Sequence, residues 1–208
     1  MIINCQCQFI VLDKRPYRES ALICSGISPD YGKISFVIHG AQKLSEKSFP
    51  KADLFRELEL EFNDDGKSKE LYTAKNLEVL TSFDDIANDP RNFKMAGRIA
   101  SFLLKNTQID QPQLFVYGAL RSVLANLANM DCGHEPWTLE QCAVVIKCAY
   151  LSDNGLLPEG QTEQQNEFLE NLVSAGADNE PLPQCSPQYW NILNNWLNSI
   201  IELHHLKR

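Results

Sequence analysis

Long apolar runs are missing from this 208-residue sequence. No stretch approaches the roughly 18 to 20 apolar residues that a helix needs to cross a bilayer, so we expect no membrane partner. The first residues, MIINCQCQFIVLDK, lack the basic start and the small-residue cleavage site of a secretory signal, which favours a cytoplasmic protein. Hydrophobic residues make up 44% of the chain, which is typical of a globular protein with its own core.

Catalytic signatures are missing as well. The chain has no Gly-x-Ser-x-Gly motif, no phosphate loop, no His-Glu-x-x-His motif and no glycine-rich dinucleotide turn. Its four histidines are scattered, and the paired carboxylates Asp64-Asp65 and Asp84-Asp85 fall in predicted turns, where solvated acids are the ordinary reading. We therefore predict a protein that is not an enzyme and that needs no cofactor.

The seven cysteines form neither a disulfide framework nor a clear metal motif. Their number is odd and they are widely spread, which favours reduced thiols. Structural zinc sites use tight cysteine pairs, whereas Cys142 and Cys148 are six residues apart on a predicted helix and point to different faces. We predict no metal. The alternative is a residual site built from Cys132, His134, Cys142, Cys148 and Cys185.

Charge is unevenly distributed along this chain of net charge −8. Between Lys14 and Lys51 there are seven Lys or Arg residues against three acids. Between Asp131 and Leu206 one base, Lys147, stands against eleven acids. Such asymmetry indicates that the two parts of the chain have different tasks.

The first 83 residues have the pattern of a small β-barrel. Strands are predicted over residues 5–13, 20–27, 33–39, 54–62 and 70–83, separated by turns rich in Pro, Asp and Gly. In the fourth strand Leu54, Arg56, Leu58, Leu60 and Phe62 share one face, and Phe55 shares the other with three glutamates. Five strands in about 80 residues favour an OB-type barrel, with an open five-stranded sheet as the alternative.

Helical signals follow. Asp89-Pro90 predicts a helix to about Asn106, and Gln111-Pro112 predicts one through Leu127. Thr138 and Thr162 each have a glutamine three residues later, the spacing of a capping box, and Ser186-Pro187 opens a last helix. The predicted fold class is α+β, with an N-terminal five-stranded OB-fold barrel over residues 1–83 and an all-α domain over residues 84–208.

The basic stretch is the candidate DNA-binding site. Cations that follow phosphates and aromatic rings that stack bases are the two parts of single-strand binding on OB folds. Tyr31 and Phe49 are expected nearby. The alternative is a set of lysines that only makes the surface soluble. The predicted contacts are Arg15, Tyr17, Arg18, Lys33, His39, Lys43, Lys47 and Lys51.

The helix after Asp89 carries a second basic stretch. Its four basic side chains fall within roughly 60° of one another around the helix axis. We expect Phe93, Ala96, Ala100 and Leu103 to form its buried face. A basic ridge bordered by apolar groups suits an acidic peptide that ends in a hydrophobic residue, whereas the alternative is an ordinary solvated face. The candidate peptide contacts are Arg91, Lys94, Met95, Arg98, Phe102 and Lys105.

Three segments resemble the bacterial recombination mediator family RecO. They are FIVLDKRPYRESALI, DYGKISFVIHGAQK and KSFPKADLFRELELEF, in an order and spacing that cover about the first 80 residues. A later segment, WTLEQCAVVIKCAYLSDNGLLPE, is similar to the family's helix ending in Gly-x-x-Pro.

The resemblance implies an N-terminal OB fold and a helical C-terminal domain. It also implies binding of single- and double-stranded DNA, strand annealing, and recognition of the acidic, Phe-terminated tail of single-stranded-DNA-binding protein. RecR-like and RecA-like proteins are the further implied partners. By position, Arg15, Arg18, Lys33, Lys43 and Lys47 would contact phosphates.

Two departures from the family pattern bear on function. The Cys-x-x-Cys pairs of many members are missing, so zinc does not carry over, and Gln42 replaces a basic residue. We expect weak or salt-sensitive DNA binding. The rival hypothesis is a protein-interaction adaptor that binds the acidic tail or another partner, with little or no DNA binding of its own.

Overall fold

The computed structural model describes residues 3–41, 51–67, 69–160 and 162–207. Within these ranges, five strands come first and five helices follow. The strands are β1 (Ile3–Tyr17), β2 (Ala21–Ser28), β3 (Gly32–Ile38), β4 (Arg56–Asp64) and β5 (Leu71–Ser82). The helices are α1 (Pro90–Asn106), α2 (Leu114–Leu127), α3 (Leu139–Asp153), α4 (Glu163–Asp178) and α5 (Pro187–Leu203), and a 3-10 turn, Asp84–Asn88, precedes α1.

The five strands close into a barrel in the order β1-β2-β3-β5-β4. Strands β3 and β5 run parallel, and the other neighbours are antiparallel. Closure depends on the length of β1, which pairs with β4 through Ile3–Ile10 and with β2 through Ile10–Tyr17. A bulge between Val11 and Asp13 lets the strand bend from one partner to the other. The predicted OB-fold barrel is confirmed, and the open-sheet alternative is wrong.

Aromatic rings fill the barrel. Phe36 makes edge-to-face contacts with Phe9 and Phe62, each with ring centroids 5.2 Å apart, and Phe62 lies 4.8 Å from Tyr72. All three phenylalanines are fully buried. Burial of each such side chain contributes about 1.5–3 kcal/mol relative to exposure, so this cluster is a main source of barrel stability.

Gly26 is required where β1 and β2 approach each other. A Cβ at this position would lie 1.8 Å from the carbonyl oxygen of Ile10, beside the bulge of β1. That contact is with backbone, which cannot move aside without breaking the strand pairing. The bulge and Gly26 therefore act together to let β1 bend.

The alternation predicted for the fourth strand holds for Leu58, Leu60 and Phe62, which are buried. Phe55 and Glu57, which the pattern assigns to the other face, are buried as well. Phe55 precedes the strand with φ of 58°, and its N–H donates to the carbonyl of Val11 at 2.8 Å. Its side chain therefore does not follow the alternation of β4.

The helix start signals agree with the structure, with one shift. Thr138 forms both hydrogen bonds of a capping box with Gln141, Thr162 caps α4, and Ser186 caps α5 with Pro187 in its first turn. Helix α2 begins at Leu114, later than Pro112 predicts. The reason is that Gln113 N–H donates to the carbonyl of Pro29 at 2.9 Å and is held in the barrel turn.

The buried face of α1 differs from the prediction at two positions. Ala96, Ala100 and Leu103 are buried as predicted, but Phe93 is 46% exposed. Phe93 points in the same direction as Ala100, seven residues later, so its exposure comes from its place in the first turn. Phe102, predicted at the border of this face, is buried with its ring edge-on to Tyr150 at 5.1 Å.

The chain divides into two compact units. The first, here called the barrel unit, is Met1–Asp84 with Leu103–Gln113, and the second, the helical unit, is Asp85–Phe102 with Leu114–Arg208. Backbone bonds hold the later segment in the barrel unit, since Lys33 N–H donates to Gln108 O at 3.0 Å and Asp110 N–H to Tyr31 O at 2.9 Å. The boundary at residues 83 and 84 stays a prediction. Among the described residues, no helix is long and apolar enough to span a membrane.

Candidate nucleic-acid interface

The second half of β1 turns a charged side outward. After the bulge at Val11 and Asp13, the strand pairs Lys14 with the buried Cys24, so Asp13, Arg15 and Tyr17 alternate onto the outer surface of the barrel. Arg15 is exposed and Tyr17 is half-buried. Arg15 and Tyr17 share one face because they are two residues apart on the strand.

An apolar floor lies across the sheet from Arg15. Arg15 pairs with Ile23, and Ile23 pairs with Val37. Ile23, Val37 and Ala21 form a small buried cluster against which Tyr17 packs. The tyrosine ring therefore rests on the floor beside the arginine, and this floor was not predicted from the sequence.

Lys33 reaches the same face from β3. It lines a depression of about 380 Å³ together with Arg15, Asp13 and Glu70. Its Nζ lies 3.9 Å from Oε1 of Glu70. Two hydroxyls, those of Ser25 and Ser35, share a hydrogen bond of 2.7 Å in the floor of this depression. The depression is thus lined by two basic and two acidic side chains. The two acidic residues, Asp13 and Glu70, were not predicted from the sequence.

Arg18 and His39 lie at the same end of the barrel, where β1 turns into β2 and β3 ends. Arg18 follows β1 with φ of 54°, and the centre of its guanidinium lies 5.1 Å from the centroid of the Tyr17 ring. His39 follows β3, whose last pair, Leu22–Ile38, is next to the β1–β2 turn. Both side chains are exposed. We call Arg15, Tyr17, Arg18, Lys33 and His39 the strand patch.

The remaining predicted contacts are placed less directly. Lys43 and Lys47 lie outside the described residues, as does Phe49. Lys51 is exposed, and its carbonyl accepts a hydrogen bond from Nη1 of Arg56 at 3.3 Å. Lys14, beside the strand patch in sequence, instead forms an ion pair with Asp53.

Tyr31 does not lie on the strand patch, contrary to expectation. Its ring packs edge-on against Phe62 with centroids 5.5 Å apart, at the edge of the barrel core. Burial is the main cause that raises the pKa of its hydroxyl above the ordinary value. Tyr31 therefore belongs to the barrel core, because the turn after β2 places its ring against Phe62.

The basic residues of α1 divide into two sets. Arg91, Lys94, Arg98 and Lys105 are all exposed. Arg91 pairs with Asp89 at 2.8 Å and lowers the pKa of that carboxyl to about 2, mainly through this hydrogen bond. Arg98 instead lines a cavity together with Met95 and Phe102.

That cavity, here called the α1 groove, has a volume of about 490 Å³ and lies between α1, α3 and α5. Its walls are mainly apolar, with Ile146 and Ile201 contributed by the other two helices. Lys147 also lines it, and its Nζ donates to Oδ1 of Asn198 at 2.8 Å and to the side chain of Asn194. Of the six predicted peptide contacts, Met95, Arg98 and Phe102 meet here, and Arg91, Lys94 and Lys105 do not.

The cysteines are placed as thiols in packing positions. Cys142 and Cys148 are fully buried in α3, and burial raises the pKa of each thiol to about 12. Within the described ranges, no group of three or more His, Cys, Asp or Glu side chains is arranged to hold a metal ion. Protonated thiols in an apolar interior are poor metal ligands, because a ligand must be the thiolate.

Comparisons with known proteins give related results. Residues 1–83 match the family described as Recombination protein O N terminal. The DNA repair protein RecO of Mesoplasma florum is 27% identical over 118 residues, which cover 57% of this chain and 44% of that protein. The DNA repair protein RecO of a Listeria monocytogenes strain is 28% identical over 153 residues, which cover 74% of this chain and 56% of that protein.

The chain spans about half the length of the curated relatives it matches. A third relative, the DNA repair protein RecO of Listeria welshimeri, is 28% identical over 136 residues, 65% of this chain and 51% of its own length. The family match covers all five strands, and their order in the closed barrel is that of an OB fold. Sequence and barrel topology agree that residues 1–83 are similar to the N-terminal domain of the RecO family.

Proposed function

We propose that this chain is a non-enzymatic DNA repair and recombination mediator of the RecO type. In this role it binds single- and double-stranded DNA, anneals complementary strands and assists recombinase loading with RecR-like and RecA-like proteins in the cytoplasm. The observation that carries the proposal is that Arg15 and Lys33 line one depression on the outer face of β1–β3, and that Tyr17, with Arg18 beside its ring, lies on the same face. The names of the relatives, DNA repair protein RecO, support the same role.

The strand patch has the chemistry that a nucleic-acid backbone needs. Guanidinium and ammonium groups neutralise phosphates and release counterions, which gives affinity without sequence preference. Tyr17 adds a ring that rests on an apolar floor and is therefore presented in a fixed orientation. Bases stack on such rings regardless of sequence, so the patch suits single strands of any sequence.

The carboxylates in the same depression limit the affinity. Asp13 and Glu70 compete with phosphates for Arg15 and Lys33, and a bound phosphate must displace at least the Lys33–Glu70 contact. We therefore propose a DNA complex that is weak at physiological salt and tighter at low salt. Binding with a slope near −0.7 per neutralised phosphate is the expectation for single strands.

Arg15→Glu tests the strand patch. We expect it to weaken binding of a labelled 30-nucleotide single strand by about tenfold at low salt and to reduce the salt slope by about one. Fluorescence anisotropy at several salt concentrations measures both quantities. Lys75→Glu is the matched control. Lys75 is exposed on β5, where it donates a hydrogen bond to Asn4, and its substitution changes the net charge by the same amount.

Equal losses in the two variants would contradict a specific patch and indicate a general effect of charge. Lys43→Glu combined with Lys47→Glu extends the same measurement to the lysines outside the described residues. An unchanged affinity and slope in that double variant would remove the segment from the DNA site. No binding by the wild-type chain at low salt would favour the adaptor alternative.

A second candidate function, recognition of the acidic tail of single-stranded-DNA-binding protein, is supported by the α1 groove. An acidic segment ending in phenylalanine needs an apolar cavity for the ring and cations for the carboxylates. Met95, Ile99 and Phe102 supply apolar walls, and Arg98 and Lys147 lie among them. No acidic residue is among the described residues that line the groove, so Arg98 and Lys147 give it a positive charge that suits such a peptide.

Arg98→Glu tests the groove against Arg91→Glu as its matched control. Both arginines are exposed on α1, but Arg91 lies outside the groove and pairs with Asp89. We expect Arg98→Glu to weaken binding of a labelled peptide, four aspartates followed by a terminal phenylalanine, by at least tenfold. The charge reversal places like charges in contact. Arg91→Glu should change affinity by less than about threefold.

The comparison with Arg91→Glu shows whether the groove or the whole basic face of α1 binds the peptide. If both variants lose the peptide equally, the basic stripe as a whole attracts it and the groove has no special role. If neither does, the acidic tail does not bind here.

A further inference from the structure

A second cavity in the helical unit is used by neither proposal. It has a volume of about 550 Å³, within the usual range of ligand sites. It lies between the segment that leads into α3, the segment that leads into α5, and Trp190 of α5 itself. Its lining includes His134, Glu135, Trp137, Pro181, Pro183 and Trp190. We call it the tryptophan cavity.

Two buried polar atoms at this cavity have no hydrogen-bond partner within the part of the chain that the structure describes. They are Nε1 of Trp137 and Nε2 of His134. Trp137 is 7% exposed, and its ring is stacked on that of His134 with centroids 5.6 Å apart and an angle of 12°. A buried indole N–H normally finds an acceptor, so this donor is one that a bound molecule can satisfy.

Trp137 is held rigidly in its position. Its backbone N–H donates to Oδ1 of the buried Asn126 at 3.0 Å, and Nδ2 of Asn126 donates to Ser122 O and to Asn179. The next residue, Thr138, is fixed by the capping box of α3. A donor that is already ordered before binding loses little entropy when a ligand arrives.

The two atoms offer different hydrogen-bonding roles. Nδ1 of His134 lies 2.8 Å from the carbonyl oxygen of Glu135, an acceptor, so Nδ1 carries the hydrogen. In the neutral ring, Nε2 is then an acceptor, whereas the indole Nε1–H is a donor. A peptide backbone, with its carbonyl and its N–H, complements this pair.

Charge limits the class of ligand further. Of the lining residues that the structure describes, Glu135 is the one acidic residue, and none is Lys or Arg. Phosphates and acidic peptides therefore find no counter-ion here. The cavity accordingly suits an uncharged or basic ligand, in contrast to the α1 groove, where Arg98 and Lys147 favour acidic residues.

We propose that the tryptophan cavity binds an extended, proline-containing peptide segment that is uncharged or basic. Polyproline-type segments have unpaired backbone carbonyls and dock in grooves lined by aromatic rings. Here the indole N–H of Trp137 donates to one such carbonyl, and Trp190 with Pro181 and Pro183 provides apolar walls. The inference does not depend on DNA binding or on tail recognition.

Proton–nitrogen NMR correlation spectra of the full chain test this proposal. The probe is the peptide acetyl-Pro-Pro-Leu-Pro-Pro-Arg-amide, titrated to millimolar concentration. Three indole signals are expected, from Trp137, Trp190 and Trp196, and the signal that Trp137→Phe removes is that of Trp137. We expect this signal to shift on binding, because its N–H gains an acceptor.

The same variant measures the contribution of the N–H. Trp137→Phe keeps an aromatic ring but removes the donor, so peptide affinity should fall about five- to tenfold. Trp196→Phe is the matched control, since Trp196 is on an exposed face of α5, outside the cavity, and affinity should not change. His134→Phe, which removes the acceptor but keeps a flat ring, should also weaken binding.

Other outcomes overturn the proposal. A Trp137 signal that does not move at millimolar peptide means that the cavity does not take such a ligand, and this result needs no variant to fold. Equal affinity of Trp137→Phe and the wild type means that the indole N–H plays no part. Displacement of the probe by the peptide of four aspartates and phenylalanine would show one common peptide site rather than two.

Discussion

At the scale of single residues, Arg56 and Asp84 are the clearest example of a long-range pair. Arg56 begins β4, Asp84 follows β5, and Nε of the arginine donates to Oδ1 of the aspartate at 3.0 Å. This hydrogen bond is the main cause that lowers the pKa of Asp84. The pair fastens the two strands at the end where Arg56 is paired with Ser82.

Asp84→Asn tests this pair through its pH dependence. Because the folded pKa is below the unfolded value of about 3.9, the stabilisation is present above that value and is lost as pH falls through the folded pKa. The side chain of Asp84 is 54% exposed, so we expect a loss of at most about 1 kcal/mol at pH 7. Urea denaturation at pH 7 and below pH 3 measures it.

Below the folded pKa the wild type and Asp84→Asn should have equal stability. Asp85→Asn is the control, since it keeps an acceptor for the amide of Asn88. A difference between Asp84→Asn and the wild type that is constant with pH would show that packing, not charge, explains it.

At the scale of elements, the capping boxes decide where helices begin. Thr138 accepts from the N–H of Gln141 at 3.2 Å, and Oε1 of Gln141 accepts from the N–H of Thr138 at 2.7 Å. At Thr162 the first of these hydrogen bonds is present, again at 3.2 Å. Thr138 also lines the tryptophan cavity beside Trp137, so the same threonine serves a helix start and a cavity wall.

Thr138→Ala is expected to destabilise the helical unit by about 1 kcal/mol, because the N–H of Gln141 loses its acceptor. Thr138→Ser keeps the hydroxyl, so its free energy of unfolding should lie within a few tenths of a kcal/mol of the wild-type value. Urea denaturation followed by tryptophan fluorescence measures this, since all three tryptophans belong to the helical unit. Equal stability of the alanine and serine variants would contradict a role for the hydroxyl.

At the scale of the whole molecule, the charge asymmetry bears on the proposed DNA binding. A net charge of −8 repels a polyanion, and the excess of acids lies between Asp131 and Leu206. We therefore expect the strand patch to attract phosphates only at short range once salt screens the other charges, with a Debye length of about 8 Å at physiological ionic strength. The salt series proposed for Arg15→Glu therefore reports on the whole charge distribution as well as on one contact.

Sequence reasoning was most successful where the information is local. Alternation assigned Leu58, Leu60 and Phe62 to one face, and all three are buried. Thr138 and Ser186 marked helix starts, because such patterns depend on neighbours within a few residues. The prediction was wrong for Phe93 and Tyr31. What covers the first turn of α1 or the turn after β2 depends on residues far along the chain.

The sequence alone determined the five strands, most of the helix starts, the basic character of residues 14–51 and the similarity of residues 1–83 to the RecO N-terminal domain. Only the tertiary structure decided which groups meet. Barrel closure brings Glu70 to Lys33, and chain folding places Pro181 and Pro183 beside Trp137. The physical reason is that hydrogen-bond periodicity fixes local elements, whereas a binding site depends on strand register and packing between residues tens of positions apart.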